Sequence, residues 1–299
     1  MSKDYHDLPK LRDSISYIYV EHCQIEQEEL SISIVRKNER IPVPISSTTC
    51  LLIGPGTNIT HAAVRAMAEN GCTAIWCGEN LRRFYAFGSP ETRSAKNILK
   101  QAELCMDKEK HSIVAKRMYE RRFPDLPEGE YTIQQLRGME GIRVKQAYKL
   151  ASKLTGVNWN GRNYKTAEWE ASDEINKALS QANALLYNIC ESAIVSLGFS
   201  TALGFIHTGK MLSFVYDIAD LYKAETTIPI AFESVKHCYG GEKLRELFRQ
   251  KIVATGVMKR IPKDIAWIFD VPAIDNTLSA ERELWDDNGT VDGGRNYGD

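Results

Sequence analysis

The chain has 299 residues, of which 43% are hydrophobic and 26% charged, and its net charge is −1. That length suits one large or, more naturally, two ordinary domains with a sizeable core, and the composition is that of a globular protein rather than a disordered or strongly polyionic one. No run approaches the length that spans a bilayer. The stretch MSKDYHDLPKLRDS at the start is polar and has no apolar signal-peptide core. Seven cysteines, odd in number and without a CxxC pair, argue against a disulfide framework or a zinc site and favour a reducing cytoplasm. The charge is uneven. Residues 281–299 hold six acids and two arginines, which leaves +3 over 1–280. That surplus does not by itself announce nucleic acid. The basic runs Arg82-Arg83, AKRMYERR (115–122) and the set Arg137, Arg143, Lys145, Lys149 and Lys153 read singly as solvated helix faces. Nucleic acid becomes attractive only where several of them share a surface.

In chain order, short runs rich in β-branched and aromatic residues come first: 14–20, 31–35, 48–53, 72–77 and 82–87. One helix interrupts them at 60–71, with Thr60 placed to cap it and Gly71 to end it. The polar segment GSPETRSA marks a linker. Beyond it the period becomes helical. Long helices are expected at 134–156 and 173–198, each closing on a glycine. Shorter ones are expected near 213–225, with Ser213 as N-cap, and near 229–239, 242–256 and 262–269. The reading is an α+β chain: an N-terminal β domain (1–88), a linker (89–95), an all-α domain (96–280) and a disordered acidic tail (281–299).

The stretch GFIHTGKMLSFVYDIADLYK sets His207, Asp217 and Asp220 among residues that favour burial. Phe214, Ile218, Leu221 and Tyr222 form a helical stripe, and the two aspartates lie beside it, three apart. Close carboxylates raise each other's pKa unless a cation separates them. Two readings stand at this point. The acids are a wet edge of the core, paired with Lys210 or Lys223, or they join His207 in a mixed N/O site for Mg²⁺ or Mn²⁺. Glu140 in LRGMEGIRVK is a candidate further acid. Arg137 and Arg143 flank it at i±3, as an ordinary salt-bridged face would. Gly138 and Gly141 are not explained that way, because glycine is costly inside a helix unless something approaches the backbone.

QLRGMEGIRVK followed by GFIHTGKMLSFVYDIADLYK resembles the CRISPR-associated integrase that inserts new spacers, in particular its subtype I-E branch. PGTNITHAAVR (55–65), RRFYAFG (82–88) and NWNGRNY (158–164) match in order and spacing, and the likeness spans roughly 8–275. The resemblance implies a β domain joined to a helical domain, a homodimer, and a small ferredoxin-like partner subunit bridging two dimers. It implies a Mg²⁺ or Mn²⁺ site at Glu140, His207 and Asp220, with Asp217 a second catalytic acid in the same pocket. It points to DNA contacts, with the captured protospacer duplex and the CRISPR repeat, at Arg65, Arg83, Lys210 and Lys223. Tyr164, Trp169, Tyr187 and Tyr216 are the aromatic positions expected near the DNA end. Position 58 is Asn where related chains can carry arginine. The chemistry implied is transfer of a phosphodiester to a DNA 3′-hydroxyl, for which side chains mainly place metal ions. A stand-alone metal-dependent endonuclease acting on branched DNA would use the same residues, and a non-catalytic DNA scaffold would use none of the acids.

Overall fold

The computed structural model describes residues 17–29, 31–37, 39–48, 50–79, 84–88, 95–123, 129–162, 173–271, 283–286 and 289–292. Within 17–88 the chain forms two four-stranded sheets. One has the order β1 (Tyr17–Val20), β5 (Cys50–Ile53), β7 (Thr73–Cys77), β8 (Phe84–Gly88), parallel except for the last pair. The other has the order β4 (Glu39–Val43), β3 (Ser31–Arg36), β2 (Gln24–Glu28), β6 (Asn58–Ile59). It is antiparallel except where β6 runs parallel to β2. Helix α1 (His61–Glu69) packs against both sheets, and Thr60 caps it by accepting the Ala63 N–H.

The unbroken apolar run of β5 follows from a core on each face. Leu51 and Ile53 pack with Ile25, Ile32, Ile34 and Met67 between the sheets and α1. Cys50 and Leu52 point the other way, into a cluster with the helices. Strand β7 divides likewise, with Ala74 in the first core and Ile75 and Cys77 in the second. Strands β2, β4 and β6 escape the reading from sequence. QIEQE buries only Ile25 deeply, ERIPV lies largely exposed on an edge that tolerates Pro42, and β6 is two residues long.

The helical region contains α2 (Lys96–Met106), α3 (Lys108–Arg122), α4 (Ile133–Thr155), α5 (Glu174–Ser196), α6 (Ser213–Ala219), α7 (Thr227–Lys236), α8 (Gly241–Thr255) and α9 (Val257–Phe269). Thr132 and Gln135 form a capping box at the start of α4, and Gly156 ends it at φ +77°. Asp173 caps α5. Helix α5 is the axis of the region, packed by α6, α7, α8, α9 and β7. Phe214, Phe232, Phe248 and Phe269 are fully buried in the same cluster, each worth about 1.5–3 kcal/mol of transfer from water.

Three expectations change. The N-cap of α6 is Leu212 rather than Ser213, because the Ser213 hydroxyl instead accepts the Lys210 N–H and closes the preceding turn. A Cβ at Gly138 or Gly141 would meet nothing within 4 Å. No described part of the chain approaches them, since they are exposed on the outer face of α4. In the tail expected to be disordered, β9 (Glu283–Asp286) and β10 (Gly289–Asp292) pair antiparallel.

Candidate active site

The site is assembled by α3, α4, α5, α6 and the loop between α5 and α6. Asp217 organises that loop. It is fully buried, and its Oδ2 accepts the Phe205 and Ile206 N–H groups at 2.7 and 3.1 Å. Its Oδ1 accepts the His207 N–H at 2.8 Å and stands 2.7 Å from His207 Nδ1. The turn is that tight because of Gly204, where a Cβ would lie 2.3 Å from the His207 carbonyl oxygen and 2.8 Å from Ser213 Cβ. With Nδ1 donating to Asp217, the imidazole presents Nε2 to Asp220, 3.8 Å from its Oδ2. Orientation of a histidine by a buried carboxylate is the usual support for a metal-ligating ring.

Asp220, one turn beyond Asp217, lines a cavity of about 1240 Å³ together with Glu140, His207, Lys210, Tyr187 and Tyr216. Burial pushes the Asp220 carboxyl up, but the Lys223 ammonium at 2.7 Å and the Arg122 guanidinium outweigh it and hold the acid below the usual carboxylate range. Burial likewise pulls Lys223 down, and Asp220 more than restores it, so the lysine stays charged. The Lys223 Nζ sits 4.8 Å over the Tyr187 ring, which meets Tyr216 edge-on at 5.0 Å. Burial raises the Tyr216 phenol.

Glu140 enters from α4. Arg143 grips it with two bonds of 2.9 Å, the i,i+3 pair foreseen from spacing. Arg122, on the last turn of α3, was not foreseen. Its guanidinium lies 3.6 Å from Glu140 Oε1 and 3.9 Å from Asp220 Oδ2, and it donates to the Asp217 carbonyl at 3.2 Å. Glu140, His207 and Asp220 therefore share one cavity wall. As placed, no three His, Cys, Asp or Glu side chains among the described residues close on a point that would hold an ion. Glu140 is held by its two arginines, Arg122 and Arg143. The donor set of two carboxylates and an oriented imidazole nevertheless fits Mg²⁺ or Mn²⁺. Asp217, by contrast, spends its oxygens on the loop and does not line the cavity.

The remaining expected residues divide. Tyr187, Lys210, Tyr216 and Lys223 line the cavity. Arg65 lies on α1 of the β region, exposed and 3.6 Å from Glu69. Asn58 is exposed on β6. Arg83, Tyr164 and Trp169 fall outside the described residues. Sequence reasoning also missed Tyr148 and Trp159, which stack at 4.3 Å on the cavity wall, and Arg162, which donates to Asn176 and Ser180. NWNGRNY marked the last two as a segment without giving either a role. Among the described residues, no helix is long and apolar enough to cross a membrane.

The family model described as "CRISPR associated protein Cas1" matches residues 16–126 and 119–237. The chain is 44% identical over 307 residues to CRISPR-associated endonuclease Cas1 2 of Thermus thermophilus, covering 99% of this chain and 94% of that one. It is 38% identical over 271 residues to CRISPR-associated endonuclease Cas1 of Escherichia coli, covering 90% and 87%. The crystal structure of a TtCas1–DNA complex superposes with a TM-score of 0.71 at 46% identity, over 88% of this chain and 99% of that chain. A casposase bound to its integration product shares the fold, with a TM-score of 0.60 at 14% identity over 90% and 96% of the two chains. The chain belongs to the Cas1 family of CRISPR-associated proteins.

Proposed function

We propose that the protein is a divalent-metal-dependent DNA integrase of CRISPR adaptation, of the subtype I-E branch, that joins the 3′-hydroxyl ends of captured DNA to a CRISPR repeat by transesterification. It acts as a homodimer with a small ferredoxin-like partner subunit. The observation that carries this reading is the meeting of Glu140 from α4 with His207 and Asp220 from the 204–223 stretch in a cavity whose other lining is largely basic and aromatic. The relatives are named endonucleases, and the solved TtCas1 structure contains DNA.

Glu140, His207 Nε2 and Asp220 would hold Mg²⁺ or Mn²⁺. When bound, the ion supplies a Lewis acid that lowers a hydroxyl's pKa and stabilises charge on a phosphate. The chain's own groups do the rest. Asp217 fixes the imidazole tautomer. Lys223 keeps Asp220 ionised, and Lys210 and Lys223 set positive charge where a phosphate enters. Tyr187 and Tyr216 offer ring faces for an unpaired terminal base, each such stack being worth about 1–3 kcal/mol. Arg65 and Arg83 would hold duplex backbone over the β region.

Incubating the protein with its partner, a short duplex and a repeat-bearing plasmid, with and without Mn²⁺ or Mg²⁺, tests the proposal. Joined product that needs both the ion and the partner is expected. Cleavage of branched DNA with no joining under any condition would assign the stand-alone endonuclease instead.

A further inference from the structure

Arg122 is 98% shielded at its side chain, yet its ion contacts are loose. The distances of 3.6 Å to Glu140 and 3.9 Å to Asp220 are well beyond the bidentate guanidinium–carboxylate bond that Arg143 makes at 2.9 Å a turn away. Among the described residues, its Nε has no hydrogen-bond partner. What holds it is one bond to the Asp217 carbonyl and the Tyr119 ring, 5.3 Å from its Cζ. A buried cation with unmade bonds is costly unless acids flank it. Here three acids, Glu140, Asp217 and Asp220, stand against three cations, Arg122, Arg143 and Lys223. Among these six groups charge is balanced before any ion arrives, and Lys145, Lys149, Arg162 and Lys210 add positive charge around the cavity, so a dication adds to a surplus that a substrate phosphate must balance.

We propose that Arg122 is a positioning residue that acts as the built-in counter-cation between Glu140 and Asp220, so that a divalent ion binds strongly only when DNA brings its own negative charge. The inference rests on the metal-dependent reading above and deepens it. Arg122 touches neither substrate nor ion in this role. It competes with the ion for the same two carboxylates.

The test is Mn²⁺ binding to the full-length protein without DNA, followed by electron paramagnetic resonance of the free ion and by the Mn²⁺-induced rise in melting temperature. Wild type should bind weakly. R122M, close in volume but uncharged, should bind Mn²⁺ tighter by on the order of tenfold or more, because a like charge a few ångströms from the ion is gone. It should melt lower than wild type without Mn²⁺ and gain more from it. R122K keeps the charge and should behave as wild type. A merely structural arginine predicts a lower melting temperature in R122M with no change in Mn²⁺ affinity, and that result overturns the inference. So does the absence of Mn²⁺ binding by either protein. If R122M folds only with Mn²⁺ present, the inference is supported. If neither R122M nor R122Q folds even with Mn²⁺, it is overturned. Metal-dependent DNA joining together with unchanged Mn²⁺ affinity sinks this inference alone, whereas absence of metal-dependent joining sinks the reading beneath it.

Discussion

At the cavity end of α5, Tyr187 carries Lys223 over its ring, and the charges beyond it are matched: Asp220 by Lys223 and Arg122, Glu140 by Arg143. One turn further along the same helix, Glu191 and Ser192 are sealed in the interior, where α5 packs on β7. Among the described residues, Glu191 Oε1 and, on β7, Thr73 Oγ1 have no hydrogen-bond partner. Burial acts on both ends. At the first, opposite charges defeat it and the acid stays ionised. At the second nothing opposes it, and the Glu191 carboxyl is pushed up to about 7. An acid kept charged in a protein interior is thus a sign of supplied partners, and an acid without them gives up its charge.

The contrast can be broken most sharply at Asp220. Asp220→Ala should abolish strand transfer, by on the order of a thousandfold or more, while DNA affinity holds or tightens slightly because a negative charge near phosphate is gone. A joining assay beside a gel-shift titration checks both, and wild-type joining rates would refute the role given to this acid. Asp217→Ala strikes the loop instead. Three amides, one buried and two part-buried, lose their acceptor, so unfolding in urea should show a loss of about 3 kcal/mol, and Mn²⁺ affinity should fall by about 10–100-fold as His207 loses its orientation.

At the sealed end the effect depends on pH. The Glu191 folded-state pKa of about 7 lies above its ordinary value of 4.5, so the folded protein binds the extra proton between those limits. Stability from this group is therefore lost as pH rises from 4.5 through 7, reaching about 3 kcal/mol above that. Denaturant unfolding of wild type and Glu191→Gln should agree in their difference near pH 4.5 and diverge in favour of the variant by pH 8. A constant difference would mean that the carboxyl is solvated. The smallest effect is expected far from both ends. Arg65→Ala should leave stability unchanged, because its pairing with Glu69 is exposed, and should flatten the salt dependence of DNA binding by about one unit of slope.

What could be read from the sequence follows from how local each cause is. Strands β3, β5 and β7 announce themselves because consecutive side chains are buried. Strand β2 does not, since Ile25 alone marks it. Helices α4 and α5 carry their caps in the sequence, whereas Ser213 looks like a cap and serves a turn. His207, Asp217 and Asp220 stood out as polar groups in an apolar stretch, and Glu140 as an acid between glycines. Their meeting came from resemblance, not from spacing. The difference between the two aspartates was invisible, because it depends on three amides ten to twelve residues upstream. Arg122 was hidden for the same reason. AKRMYERR reads as a wet helix face, and only packing against segments about a hundred residues away buries its last residue.

The two faces of β5 and β7 carry one more consequence. Because alternate residues of each strand belong to the inter-sheet core and to the helical core, unfolding the helices would bare Cys50, Leu52, Ile75 and Cys77 on the second face of the sheet. A sheet covered on both faces couples the two regions, so they are expected to unfold together. A protease cut within the polar segment 89–95 would leave a nicked molecule whose two pieces stay together and melt in a single transition, and the β piece expressed alone would aggregate through the apolar side of its own parallel sheet.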